Sequence, residues 1–253
     1  MFSALTNLKE VLIEYNQVDL DNTLILMNRV DFKFLLKGSE AAQLLKTLDK
    51  DYDVISKEGN LFRCYETAYF DTLERDAFYR HHQGKLPRYK IRTRTYLDTK
   101  DEFLEIKYKN NRNRTEKFRH KLSATEHLFD QSGVVDFLNE HSIYNLNELK
   151  EALLVKYTRI SLKHKKLNER ITIDFDISFS NGLKNALLGE VVFMEVKQEK
   201  SMKSPVMIAL KAMNKHSVSL SKYCYGLLSL EPSIKHNNFN PLQKSLNKII
   251  APL

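Results

Sequence analysis

Hydrophobic and polar residues alternate with a period of two along much of this chain, and one side of nearly every alternating stretch is charged. In PRYKIRTRTYLD (87–98), Arg88, Lys90, Arg92 and Arg94 take every second position, with Tyr89, Ile91, Thr93 and Thr95 between them. A strand sends successive side chains to opposite faces, so this stretch predicts a strand with a four-cation face. In 28–36, Arg29, Asp31 and Lys33 oppose Val30, Phe32 and Phe34. In 102–110, Glu105, Lys107 and Lys109 oppose Leu104, Ile106 and Tyr108, and in 114–122 Lys117, Arg119 and Lys121 align. Tyr157 and Arg159 align within 153–164, and Glu195 and Lys197 oppose Val192, Met194 and Val196 within 190–199. In 170–180, Asp174 and Asp176 oppose Ile171, Ile173, Phe175 and Ile177, and acids on one strand face are read as solvated.

Two further strands are expected at YDVISK (52–57) and 62–72, the latter rich in aromatic residues. Helical spacing marks 3–15, 38–49 with Ser39 as its cap, a short segment ending at Gly84, 124–152 with a break near Gly133, 204–216 with Pro205 in the first turn, and 219–230. The tail from Glu231 reads as irregular or loosely helical. No strand–helix alternation suggests a parallel sheet. The expected fold is therefore α+β: an antiparallel closed β-barrel of about eight strands, flanked by helices, in a single domain over 1–253.

Parity alone leaves two arrangements open. The charged faces lie in water over an apolar core, or the apolar faces point outward under the helices and the charged faces line the interior. The second arrangement makes a basic tunnel, which needs a strongly charged occupant.

Composition favours a polyanionic occupant without choosing it. The chain has 253 residues and a formal net charge of +8, with 42% hydrophobic and 28% charged residues. Cys64 and Cys224 show neither a metal spacing nor a disulfide framework. The N-terminal residues are unlike a signal peptide, and no run approaches about 18 apolar residues, so a cytoplasmic protein without a transmembrane segment is expected.

Long cations interleaved with a few carboxylates suit a phosphate chain with a divalent metal. There is no Walker loop and no G-x-G-x-x-G. His81 and His82 read as surface residues and His120 as solvated. Nucleic acid is not expected as a partner, because exposed aromatic platforms and recognition motifs are lacking.

Seven motifs appear in order: RVDFKFLL, YFDT…FYRHHQGKLPRYKIRTRTY, FLEIKYK, EKFR, YTRISL, FMEVK and LSKYCYG. The series, from about residue 28 to 228, resembles the polyphosphate polymerase domain of the VTC (vacuolar transporter chaperone) family, within the triphosphate tunnel metalloenzyme superfamily, also called CYTH-like. The resemblance implies an antiparallel barrel around a basic tunnel. It implies an enzyme that transfers the terminal phosphate of ATP to a growing polyphosphate, with Mn²⁺ or Mg²⁺ as cofactor. Carried over by motif, Arg92, Arg94, Lys222 and Glu195 are the catalytic residues, with Glu195 as the metal ligand. Phosphate-binding residues are Lys33, Lys90, Arg92, Arg94, Lys107, Lys117, Arg119, Tyr157, Arg159, Lys197, Ser221 and Lys222. No protein nucleophile is implied, because an acceptor phosphate oxygen attacks.

Fungal members also carry a regulatory domain and membrane helices that these motifs do not include, so a stand-alone bacterial-type member is expected. Hydrolytic members of the superfamily keep Glu-x-Glu-x-Lys in the first strand, where this chain has Arg29, Asp31 and Lys33. That departure weakens the alternative of a tunnel triphosphatase acting on tripolyphosphate or nucleoside triphosphates. A second alternative is a polyphosphate-binding module without turnover.

Overall fold

The computed structural model describes residues 4–19, 29–112, 114–123 and 133–250. The described chain opens with α1 (Ala4–Leu12) and β1 (Gln17–Asp19), followed by β2 (Val30–Lys37) and α2 (Gly38–Leu45). Next come β3 (Tyr52–Ser56), β4 (Arg63–Asp71), α3 (Asp76–His82), β5 (Arg88–Tyr96), β6 (Glu102–Lys109) and β7 (Thr115–Leu122). After α4 (Val134–His141) the long hairpin of β8 (Lys150–His164) and β9 (Glu169–Ser180) leads to β10 (Asn185–Leu187) and β11 (Val191–Gln198). Helices α5 (Pro205–Ala212), α6 (Lys222–Leu230) and α7 (Asn240–Ile250) complete it.

Eight strands follow one another in the order β2-β11-β9-β8-β4-β5-β6-β7, all antiparallel, with β1, β3 and β10 attached beside them. The α+β antiparallel class is as expected, with eleven strands rather than about eight; the sequence reading passed over the three-residue strands β1 and β10. The pairing β1–β3 is parallel.

The sheet does not close into a barrel: among the described residues β7 pairs with β6 and β2 with β11, and these two edges do not pair with each other. The reason lies in β7. It carries Lys117, Arg119 and Lys121 on one face, and Glu116 and His120 beside the core-packed Phe118 and Leu122 on the other; charge on an edge strand is how natural sheets resist further pairing.

The apolar faces point outward. Leu104 and Ile106 of β6 are each 1% exposed and pack with Ile91, Val134 and Leu138 under α4. Phe34 and Leu36 of β2, Ile171, Ile173 and Phe175 of β9, and Val192, Met194 and Val196 of β11 form a second layer with α1, α2 and α5. Burying one such side chain is worth about 1.5–3 kcal/mol. The helices thus dictate which face turns inward, and the charged faces share the concave side.

One residue reverses the pattern. Asp176 has φ 50°, and the β8–β9 register shifts between Lys156 and Thr158. Two residues of β9 then oppose one of β8, a β-bulge. Beyond it, Ile177 and Phe179 turn to the concave side and join Tyr157, Tyr223, Leu227 and Leu228 beneath α6. The expectation that Asp174 and Asp176 share a face with one set of isoleucines opposite is corrected by this bulge. Gly226 lets α6 sit so close, since a Cβ there would lie 2.5 Å from Leu153 Cδ2 and 2.6 Å from Phe179 Cδ1.

Smaller corrections concern the helices. The start of α2 is capped by Glu40, whose carboxylate accepts the Lys37 backbone N–H at 2.9 Å, and not by Ser39. The helix expected over 124–152 is found at α4 and in one 3-10 turn, Leu146–Glu148; 124–132 lie outside the described residues, and Lys150–Ala152 begin β8. Among the described residues no helix is long and apolar enough to cross a membrane.

Candidate functional site

The charged parity faces converge. A cavity of about 230 Å³ is lined by at least one side chain from every strand of the eight-strand path, together with Leu220, Ser221 and Lys222 at the start of α6. Ten cations line it against three carboxylates: Arg29, Lys33, Lys90, Arg92, Arg94, Lys107, Lys117, Arg159, Lys197 and Lys222 against Asp31, Asp174 and Glu195. Lys117 on one edge strand shares the cavity with Asp31 on the other, so the two unpaired edges face each other across it.

Register explains the convergence. Lys90 stands opposite Lys107, which stands opposite Lys117 on the next strand. Lys33 stands opposite Glu195, and Asp31 opposite Lys197. Three lysines in a cross-strand row repel one another; Lys90 is half-buried, while Lys107 and Lys117 keep much of their surface exposed. Burial first, then the neighbouring cations, lowers Lys90 to about 7 and Lys107 and Lys117 to about 8. These groups gain by meeting an anion.

Carboxylates hold the remaining cations in place. Glu105 accepts Arg92 Nε at 2.8 Å and Nη2 at 2.7 Å, and lies 3.8 Å from Arg94 Nη1 and 3.4 Å from Arg119 Nε. Burial alone would raise its carboxyl, but Arg92 and Arg94 outweigh that and hold it at about 2. Asp174 accepts Arg159 through both oxygens and also Lys222. Burial works against its charge, yet these two cations keep it well below the usual carboxylate range. Tyr157 stacks on Tyr65 at 5.1 Å and lies under Lys222, whose Nζ is 4.5 Å from its ring.

Of the phosphate-binding residues expected from the motifs, all but Arg119 line this cavity. Arg119 stays on the charged face but lies beside the cavity, not in its lining: it lies 3.7 Å over the Phe103 ring, donates to Tyr96 Oη at 2.5 Å, and its side chain is 43% exposed. Sequence reasoning missed Glu105 and Asp174. Their signal was their parity with Lys107 and Thr172, but a cavity-facing acid and a solvated one look alike in sequence. Asp174, read as solvated, is 3% exposed.

The histidine reading is also corrected. His82 is buried at 5% exposure, and its Nε2 accepts the Asn238 backbone N–H at 3.3 Å. His81 lines a second chamber of about 260 Å³ with Arg88 and Lys109. That chamber shares Asp31, Lys33, Lys90, Lys107 and Leu220 with the first, so the basic lining is continuous.

Among the described residues no three His, Cys, Asp or Glu side chains form a ready-made metal cage. Glu195 presents one carboxylate beside Lys197 at 2.6 Å, and burial is outweighed there by Lys197 and Lys33, which keep it ionised. Asp31, on the adjacent strand, is paired with Arg29 at 2.8 Å. One or two carboxylates fit Mg²⁺ or Mn²⁺ where phosphate oxygens and water supply the other positions.

A search of curated proteins returned no match. Among solved structures the chain is similar to a Hippeastrum protein assigned as an adenylyl cyclase and described as having a dominant triphosphatase activity. The identity is 14% and the TM-score 0.49, over 79% of this chain and 95% of that one. It is also similar to the PH1819 protein of Pyrococcus horikoshii, at 14% identity and TM-score 0.43 over 81% of this chain and 99% of that one. At these values neither likeness adds to the reading of the site. The family model of the VTC domain matches residues 28–231, which span every strand of the path and α6, and the chain belongs to the VTC domain family.

Proposed function

We propose that this protein is an ATP-dependent polyphosphate polymerase. The observation that carries the reading is the surplus of cations: ten against three carboxylates in one cavity, continuous with a second basic chamber. An empty site of this kind contains repelling, partly desolvated charges, and a phosphoanhydride chain relieves them. Arg92, Arg94, Arg159 and Lys222 neutralise the transferring phosphate and its neighbours. The acceptor's terminal phosphate oxygen attacks the γ-phosphorus of ATP, the β–γ bridging bond breaks, and ADP leaves with that electron pair. Glu195, with Asp31 on the adjacent strand, would hold a Mn²⁺ or Mg²⁺, which would neutralise charge on the phosphate oxygens.

The pairing of Asp31 with Arg29 favours this reading over the tunnel triphosphatase. It engages the first-strand carboxylate with a guanidinium, where the hydrolytic pattern has two carboxylates. The test is incubation with ATP and Mn²⁺, followed by separation of products by chain length. Long chains with stoichiometric ADP are expected. Orthophosphate without polymer would replace this reading with the triphosphatase, and tight tripolyphosphate binding without turnover would replace it with a binding module.

A further inference from the structure

The third residue of the YFDT motif is Asp71, which the phosphate chemistry leaves without a role. Asp71 closes β4 and is 1% exposed, and no cation lies within ion-pair distance of it among the described residues. Its Oδ1 accepts the Thr72 and Ala77 backbone N–H groups at 2.8 and 2.9 Å. Its Oδ2 accepts the Phe78 N–H at 3.0 Å and the Tyr223 hydroxyl. A buried carboxylate without a countercharge is tolerated only when so fully bonded.

Tyr223 follows Lys222 directly, and this short strap is tied down residue by residue. Leu220 O accepts Lys33 Nζ at 2.9 Å, Ser221 Oγ accepts Lys90 Nζ at 2.8 Å, Lys222 reaches Asp174, and Tyr223 reaches Asp71. Four successive residues thus engage β2, β5, β9 and the end of β4. The Tyr223 ring also stacks on Tyr69 at 5.2 Å, and Tyr69 Oη accepts Arg92 Nη1 at 3.2 Å. Behind two of the cations assigned to the transferring phosphate stands one tyrosine, held by one buried acid.

We propose that Asp71, acting through Tyr223, is a positioning residue that seats Lys222 and Arg92 for the transferring phosphate. The assignment of those two cations rests on the proposed function; the seating of Lys222 does not. The hydroxyl of Tyr223 sets the rotation of the first turn of α6, and Lys222 on that turn enters the cavity only in that rotation.

Tyr223→Phe removes the hydroxyl alone, and Asp71→Asn keeps the size of the acid; the tyrosine variant stands even if the asparagine variant does not fold. Tyr223→Phe is expected to fold, to lower kcat about tenfold with ATP, and to weaken tripolyphosphate binding severalfold. In a background carrying both Lys222→Ala and Arg92→Ala the same change should weaken tripolyphosphate binding by less than about twofold, since both of its targets are gone. A structural defect alone would add its full effect in that background and overturn the proposal. A crystal structure of Tyr223→Phe reads the strap without reference to turnover. The Lys222–Asp174 contact should open beyond hydrogen-bond distance, and an unchanged contact would overturn the proposal. Absence of turnover and of tripolyphosphate binding in the parent protein would remove the proposed function, while the crystallographic arm still decides this inference.

Discussion

Arg159 of β8 and Asp174 of β9 face each other across the ladder and form a two-point ion pair, Nε to Oδ1 at 2.5 Å and Nη2 to Oδ2 at 2.8 Å. Lys222 adds a third bond to the same carboxylate. A carboxylate held by two cations is the geometry a phosphate would adopt there, so Asp174 stabilises the empty site and limits how far its cations are left to repel.

Asp174→Asn should therefore destabilise the empty protein by about 3 kcal/mol, because two buried cations lose their countercharge. Tripolyphosphate should restore most of the loss. Thermal unfolding with and without tripolyphosphate checks this: the ligand-induced rise in Tm should be larger in the variant than in the parent.

Proton linkage follows from the lysine row. In the empty site Lys90 loses its proton near pH 7 and Lys107 and Lys117 near 8, whereas a bound polyanion favours their charged forms. Binding of tripolyphosphate should take up protons above about pH 7, and affinity should fall by up to about tenfold per pH unit for each proton taken up. Titration calorimetry in buffers of different ionisation enthalpy measures the uptake; proton release would contradict it. Unfolded, these lysines keep their protons to near 10.5, so their contribution to the stability of the empty protein rises with pH between about 7 and 10.5.

Glu105 and Arg119 are in contact, yet they should behave differently. Glu105→Gln frees Arg92 and Arg94 from their shared acceptor and should lower kcat/KM about tenfold with the fold retained. Arg119→Ala, on the outer side of Glu105, should leave kcat/KM within about threefold. Circular dichroism and steady-state kinetics on both variants separate the two roles.

Arg92→Ala, Lys222→Ala and Glu195→Gln should each reduce ATP turnover by about a hundredfold or more, as expected when a group facing the transferring phosphate is removed. A chelator should abolish turnover and Mn²⁺ should restore it. Glu195→Gln should shift that restoration to higher Mn²⁺ concentration, which a metal titration measures.

Much of this site was legible in the sequence because a strand has a fixed period. Alternation placed Lys90, Arg92 and Arg94 on one face, and Lys107, Lys117, Arg159, Glu195 and Lys197 on the matching faces of other strands. The same rule failed where the backbone broke it. At Asp176 an extra residue reverses the alternation, and no feature of IDFDIS announces that its second acid leaves the face of the first. Arg119 kept its parity and its face but lies on an edge strand, where the Phe103 and Tyr96 rings hold it away from the cavity lining.

The chain by itself therefore determined the antiparallel strands, the charged identity of one face of each, and the family motifs. Only the tertiary structure decided that those faces look inward, because that depends on helices α1, α2, α4 and α5 covering the apolar sides. It also decided that the sheet stays open, that Asp174 holds Arg159 and is not a solvated acid, and that Glu105 holds Arg92. Such pairings depend on register and on distances between residues far apart in the chain, and local alternation contains no information about either.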